Sequence, residues 1–134
     1  TMKIKVFIGL IALLSIITAC KKEEGDGGMA TIKGSVWVHD WDKNFNLIMY
    51  EHPGLDEDVF IVYGDQNGYG DKVSTDLNGN FQFNFLRKGN YTIYALSDTL
   101  QSSTVSYNQF PVVAKIEITD KKQVVDIGTL TVNR

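Results

Sequence analysis

Cysteine is almost absent: Cys20 is the only one in 134 residues. No disulfide can therefore form within the chain, and beyond residue 20 no thiol is left for nucleophilic work. Histidine is nearly as scarce, with only His39 and His52. Neither G-x-S-x-G nor H-E-x-x-H occurs, so the local signatures of serine hydrolases and zinc proteases are missing. Base is also in short supply, with 13 Lys and Arg against 16 Asp and Glu. An acidic chain without a basic patch repels phosphate backbones, which excludes nucleic acid as a partner. After Ile17 no stretch of helical periodicity matches the strength of the alternating ones.

Residues 1–19 read as a secretion signal. Met2-Lys3-Ile4-Lys5 is a short basic segment, Val6 to Ile17 an apolar run of about a dozen residues, and Ala19 a small residue at a cleavage point. The run falls short of the roughly 20 apolar residues that cross a bilayer. Ile17-Thr18-Ala19-Cys20 resembles the lipobox of bacterial lipoproteins. That resemblance implies diacylglycerol on the Cys20 thiol, further acylation such as palmitate, and membrane anchoring without a spanning segment. Cleavage there removes Lys3 and Lys5 and leaves 11 bases against 16 acids, a net charge of −5. The following "KKEEGDGG" cannot bury apolar surface and reads as a flexible tether over residues 20–29. Lysine followed by two acids just after the cysteine is also similar to a surface-export signal of some Gram-negative lipoproteins. The expected location is the outer membrane, with the cell surface as an alternative to its inner side.

Residues 30–134 suffice for one domain with one core. Six alternating stretches recur: "ATIKGSVWVH", "DVFIVYG", "FQFNF", "YTIYALS", "VVAKIEIT" and "QVVDIGTLTV". They are rich in Val, Ile, Thr, Phe and Tyr and are separated by Gly, Asn and Asp, which predicts strands. A further apolar strand is expected within residues 39–51. The fold class is all-β, a single antiparallel Greek-key sandwich of about seven strands. Period-two alternation puts Phe81, Phe83 and Phe85 in the core and Gln82 and Asn84 outside. For the next strand, either Tyr91, Ile93 and Ala95 or Thr92, Tyr94 and Leu96 point inward, and periodicity does not choose.

The segment "STDLNGNFQFNFLRKGNYTIYALS" resembles the T-D-x-x-G-x-F-x-F-x-x-L-x-x-G-x-Y-T signature of carboxypeptidase regulatory-like domains. Gly34-x-Val36, Asp58-Val59 and Val125-Asp126-Ile127-Gly128 also match that pattern. The resemblance implies a transthyretin-like (prealbumin-like) sandwich and a non-catalytic accessory, structural or adhesive module. It further implies that Asp76 to Gly79 turn, that Leu86 plugs the core end and that Gly89-Asn90 returns the chain. The connection from His39 to Asp58 is longer than the family pattern. Hydrolases sharing the fold use histidines, an arginine and a terminal Tyr-Arg-Gly-Ser motif, whereas this sequence reads Thr131-Val132-Asn133-Arg134. The expectation is that the chain is not an enzyme.

Two candidate sites lie in the long connection and at the end of the strand that leads into it. In "HDWDKNFNLIMYE", Asp40, Asp42, Asn44 and Glu51 hold the first, third, fifth and twelfth places of a calcium-loop register. Phe45 occupies the place usually taken by glycine. Asp40, Asp42, Glu51, Asp56, Glu57 and Asp58 crowd around Lys43, and like charges brought together favour a structural Ca²⁺. The competing expectation is a hairpin turning at Asp42-Lys43-Asn44, with Phe45, Leu47 and Met49 packed back on the sandwich. No cofactor is otherwise required. Trp37 and Trp41 share the face opposite Val36 and Val38 and could form an aromatic platform for sugar rings, with Tyr63, Tyr69 and Tyr107 as further exposed aromatics. The functions to be weighed are a lipid-anchored accessory or binding module of the envelope, a carbohydrate-binding or adhesive surface module, and a structural subunit. The partners that follow are the membrane, through the lipid anchor, and an envelope protein or glycan.

Overall fold

The computed structural model describes residues 23–100 and 107–134. Cys20 and the Ile17-Thr18-Ala19 before it lie outside the described residues. Eight strands follow one another: β1 (Asp26–Trp41), β2 (Ile48–Pro53), β3 (Asp58–Tyr63), β4 (Asp71–Ser74), β5 (Asn80–Leu86), β6 (Gly89–Leu100), β7 (Tyr107–Ile118) and β8 (Val124–Asn133). They form two four-stranded sheets packed face to face, the β-sandwich that the alternation predicts. In the first sheet β1 pairs along one edge with β5 and then with β2, and along the other edge with β8. The second sheet runs β4-β3-β6-β7. The β1–β5 and β3–β6 neighbours join strands far apart in the chain, as Greek-key connections do.

Two details depart from the expected topology. The added strand is β4, whose four residues Asp71–Ser74 are too short to show a period. The β1–β8 pair is parallel, from Thr31↔Val124 to His39↔Asn133. The chain crosses to the second sheet for β6 and β7 and comes back beside the start of β1, where the Thr31 N–H donates to Gln123 O at 2.9 Å. β8 must then run alongside β1 in the same direction.

The core follows the period of two. Ala30, Ile32, Val36 and Val38 of β1 meet Val59 and Ile61 of β3, and Tyr91, Ile93 and Ala95 are the inward set of β6. Fully burying a side chain of the Val, Ile or Phe kind contributes about 1.5–3 kcal/mol. Leu86 closes one end, as expected, at 1 % exposure. Phe81 and Phe83 are core, but Phe85 is not: it stands 72 % exposed at φ 59°. The strand kinks there, so Leu86 rather than Phe85 takes the next inward place. The Asp76–Gly79 turn forms as expected. Asp76 Oδ1 accepts from the N–H groups of Asn78 and Asn80, both at 2.9 Å, and Gly79 sits at φ 78°. A Cβ on Gly79 would lie 2.5 Å from Val36 O, so only glycine fits.

The stretch expected as a tether is partly built into the domain. β1 begins at Asp26, Gly25 O accepts from Arg87 N–H at 2.9 Å, and the Gly25 N–H donates to the Tyr91 hydroxyl at 2.9 Å. Composition missed this because the polar, glycine-rich segment is held by backbone hydrogen bonds rather than by buried side chains. Tyr63 is likewise no solvated loop residue. It packs on the core edge-on to Tyr91, at 5.9 Å between ring centroids. Burial, reinforced by Asp26 and Asp71, pushes its hydroxyl up to about 12.

Candidate functional site

β1 carries Lys33, Ser35, Trp37, His39 and Trp41 on alternate positions, so all five line the outer face of the first sheet. The strand rise spreads them over about 27 Å. The two tryptophans, expected to act together, have different surroundings. Trp41 donates through Nε1 to Asn133 Oδ1 at 2.9 Å and stacks on Phe45, with centroids 5.8 Å apart and ring planes 11° from parallel. Its ring braces the β1–β2 turn and is not a free platform. Trp37 is 37 % exposed, between Pro53 across on β2 and Thr131 across on β8.

One outward position before Trp37, at Ser35, the same face opens into a groove of about 460 Å³, walled by Lys33, Ser35, Asn80, Gln82, Asp126 and Thr129. Three strands contribute. Gln82 and Asn80 of β5 stand opposite Lys33 and Ser35, and Asp126 and Thr129 of β8 flank the same two residues on the other side. Asp126 and Thr129 are three positions apart, which would put them on opposite faces of a regular strand. A bulge removes the conflict: the register slips between Lys33 and Ser35, and Gly128 takes φ 78°. The Gly128 N–H donates to Asp126 Oδ1 at 2.9 Å, and the Ser35 and Thr129 hydroxyls lie 2.8 Å apart. Bulges re-aim side chains in this way beside binding sites. The outward direction of Gln82 was readable from alternation. The bulge and the pairing that unites the six were not.

The calcium register does not assemble. Asp40 reaches His52 Nε2 at 2.7 Å, and Glu51 reaches His39 Nε2 at 2.9 Å. Asp40 follows the inward parity of Val38, whereas Glu51 faces His39 on the outer side, so the hairpin separates the two carboxylates. Asp42 Oδ1 caps the turn instead, accepting from Asn46 N–H at 2.7 Å, while Asn44 lies exposed at the tip. The crowded acids find bases beyond Lys43: Glu57 pairs with Arg134, and Asp58 with Lys72 at 3.3 Å. Among the described residues no three His, Cys, Asp or Glu converge. The hairpin thus holds the four candidates apart, on its two faces and at its tip. The hairpin forms, with the Phe45 N–H donating to Asp42 O at 3.0 Å. Its apolar residues correct the expectation in turn, because Leu47 and Met49 are 62 % and 51 % exposed and only Phe45 packs back.

Both histidines are engaged. His52 donates through Nδ1 to Pro53 O at 2.8 Å while Nε2 meets Asp40. With the backbone carbonyl first and the carboxylate second, these partners raise its pKa above the usual imidazole value. On the second sheet, Tyr69 rests on Phe60 at 5.0 Å, and Phe60 stacks on Tyr94 at 4.9 Å. These rings pack on one another. The Tyr107 side chain lies outside the described ones.

Searched against protein-family models and against curated proteins, the chain finds no match. Among solved structures it is similar to a Pseudomonas aeruginosa protein described as a candidate carbohydrate-binding protein, at 13 % identity and a TM-score of 0.48, over 82 % of this chain and 91 % of that one. It is also similar to part of a 9R-lipoxygenase from Cyanothece, at 16 % identity and a TM-score of 0.41, over 92 % of this chain and 20 % of that one. Neither likeness bears on ligand or activity.

Proposed function

We propose that the chain is a lipid-anchored lipoprotein of the outer membrane whose β-sandwich is a non-catalytic binding module, with the outer face of the first sheet as its ligand surface. The observation that carries the reading is the continuity of that face: half-exposed Trp37 is the next outward residue of β1 after Ser35, which walls a polar groove drawn from three strands. An aromatic ring beside a few convergent polar groups is the usual composition of a small-ligand site. The non-catalytic part of the reading rests on the sequence, which lacks the G-x-S-x-G and H-E-x-x-H signatures and resembles accessory modules. Anchoring rests on the lipobox at Cys20 and the single-cysteine composition. The test immobilises the full chain and passes over it an extract of the envelope of the cells that make it. Wild type is expected to retain material that Trp37→Ala does not; equal retention contradicts the reading.

A further inference from the structure

We infer that the groove beside Trp37 is a subsite for a neutral, extended oligosaccharide, laid along β1 from Lys33 past Ser35 to the Trp37 ring. This rests on the reading of that face as the ligand surface and adds the chemical class of the ligand. A sugar hydroxyl is donor and acceptor at once, and the groove offers both in close alternation. Lys33 supplies only donors, Asp126 only acceptors, and Asn80, Gln82, Ser35 and Thr129 supply either. A peptide strand would seek unpaired backbone at a sheet edge instead.

The formal charges cancel. Lys33 and Asp126 stand directly across the β1–β8 pair, and the other four walls are uncharged. A phosphorylated ligand or a polyuronate would call for surplus positive charge, which the groove lacks. Trp37 adds the apolar element, since the C–H face of a pyranose ring packs on an indole while its rim hydroxyls reach the polar walls. Lys33 and Trp37 share one face four residues apart, about 13 Å, so the ligand spans more than one ring. The groove's 460 Å³ lies within the range of about 300–1,000 Å³ typical of small-molecule sites. The β8 bulge bears on the point independently, because a regular strand would place Asp126 and Thr129 on opposite faces.

The experiment titrates the full chain, in detergent micelles, with neutral cello-, xylo-, manno- and laminari-hexaoses and with an oligogalacturonate as the charged control. Tryptophan fluorescence and amide NMR shifts are followed. At least one neutral hexaose is expected to bind saturably and to shift the amides of Lys33, Ser35, Asn80, Gln82, Asp126 and Thr129 together with the Trp37 indole. Asp126→Asn and Asn80→Ala are expected to weaken it about ten-fold each with an unchanged thermal midpoint, and Trp37→Phe to keep most of the affinity. The inference is overturned if no neutral hexaose binds, if only the galacturonate binds, or if both groove variants bind as wild type does. Envelope material still retained through Trp37 without hexaose binding would overturn the sugar assignment alone. Loss of both results would overturn the ligand face as well.

Discussion

Trp41 donates its indole N–H to Asn133 across the β1–β8 pair at 2.9 Å, and that bond separates the roles of the two tryptophans. Trp41→Ala removes the hydrogen bond and the Phe45 stack, at a cost of about 2 kcal/mol when the two contributions are combined. Trp37→Ala is expected to cost less stability and more binding. Chemical denaturation of the two variants, set beside their retention of envelope material, checks this. Equal stability loss with equal binding loss would contradict the assignment.

Phe83 and Phe85, two residues apart, should respond oppositely. Phe83 is 3 % exposed and Phe83→Ala is expected to cost about 3–5 kcal/mol. Phe85→Ala should stay under about 1 kcal/mol, and Phe85→Gly should be neutral or stabilising, because it relieves the left-handed backbone at φ 59°. Denaturant midpoints measure both. A large loss at Phe85 would mean that its ring is held.

Such residues show what was legible in the sequence. Alternation separated the two faces of β1 and put Phe81 and Phe83 of β5 in the core, because a period of two repeated over several residues leaves one solution. It failed at Phe85 because a single left-handed residue interrupts the period without any change in hydrophobicity. The groove was partly legible: Gln82 read as outward, but Asp126 and Thr129 have unlike parity until the Gly128 bulge is known. The calcium register matched by spacing while its carboxylates point to opposite faces, since spacing in a loop says nothing about a hairpin. The acid-rich connection was misjudged for a related reason. Arg134 and Lys72, which neutralise Glu57 and Asp58, lie far from those acids in sequence or in another strand.

His52 gives the hairpin a pH dependence of defined sign. Its folded pKa is raised, so the pairing with Asp40 and Pro53 O contributes fully below the unfolded value of about 6.5 and is lost as pH rises through the folded value. In an NMR titration the His52 ring should change charge at higher pH in wild type than in Asp40→Asn. Identical midpoints would show that the carboxylate does not hold the proton.

Tyr91 joins the segment before β1 to the β5–β6 turn, accepting from Gly25 N–H and donating to Arg87 O at 2.7 Å. Tyr91→Phe leaves the Gly25 N–H without that partner and is expected to cost about 1–3 kcal/mol. Amide exchange should quicken at Gly25. Unchanged exchange would mean that this segment is held by other bonds.

Cys20→Ala tests the anchor. Fractionation should move the protein from membrane to soluble fractions; a variant that stays with the membrane contradicts lipid attachment at that thiol.

The ligand face itself is tested most directly by comparing the two sides of the sandwich in one retention assay. Trp37→Ala combined with Asn80→Ala alters the outer face of the first sheet, and Tyr69→Ala combined with Lys115→Ala alters that of the second. The first pair is expected to abolish retention of envelope material while the second leaves it intact. Retention lost only with the second pair would put the ligand on the opposite sheet.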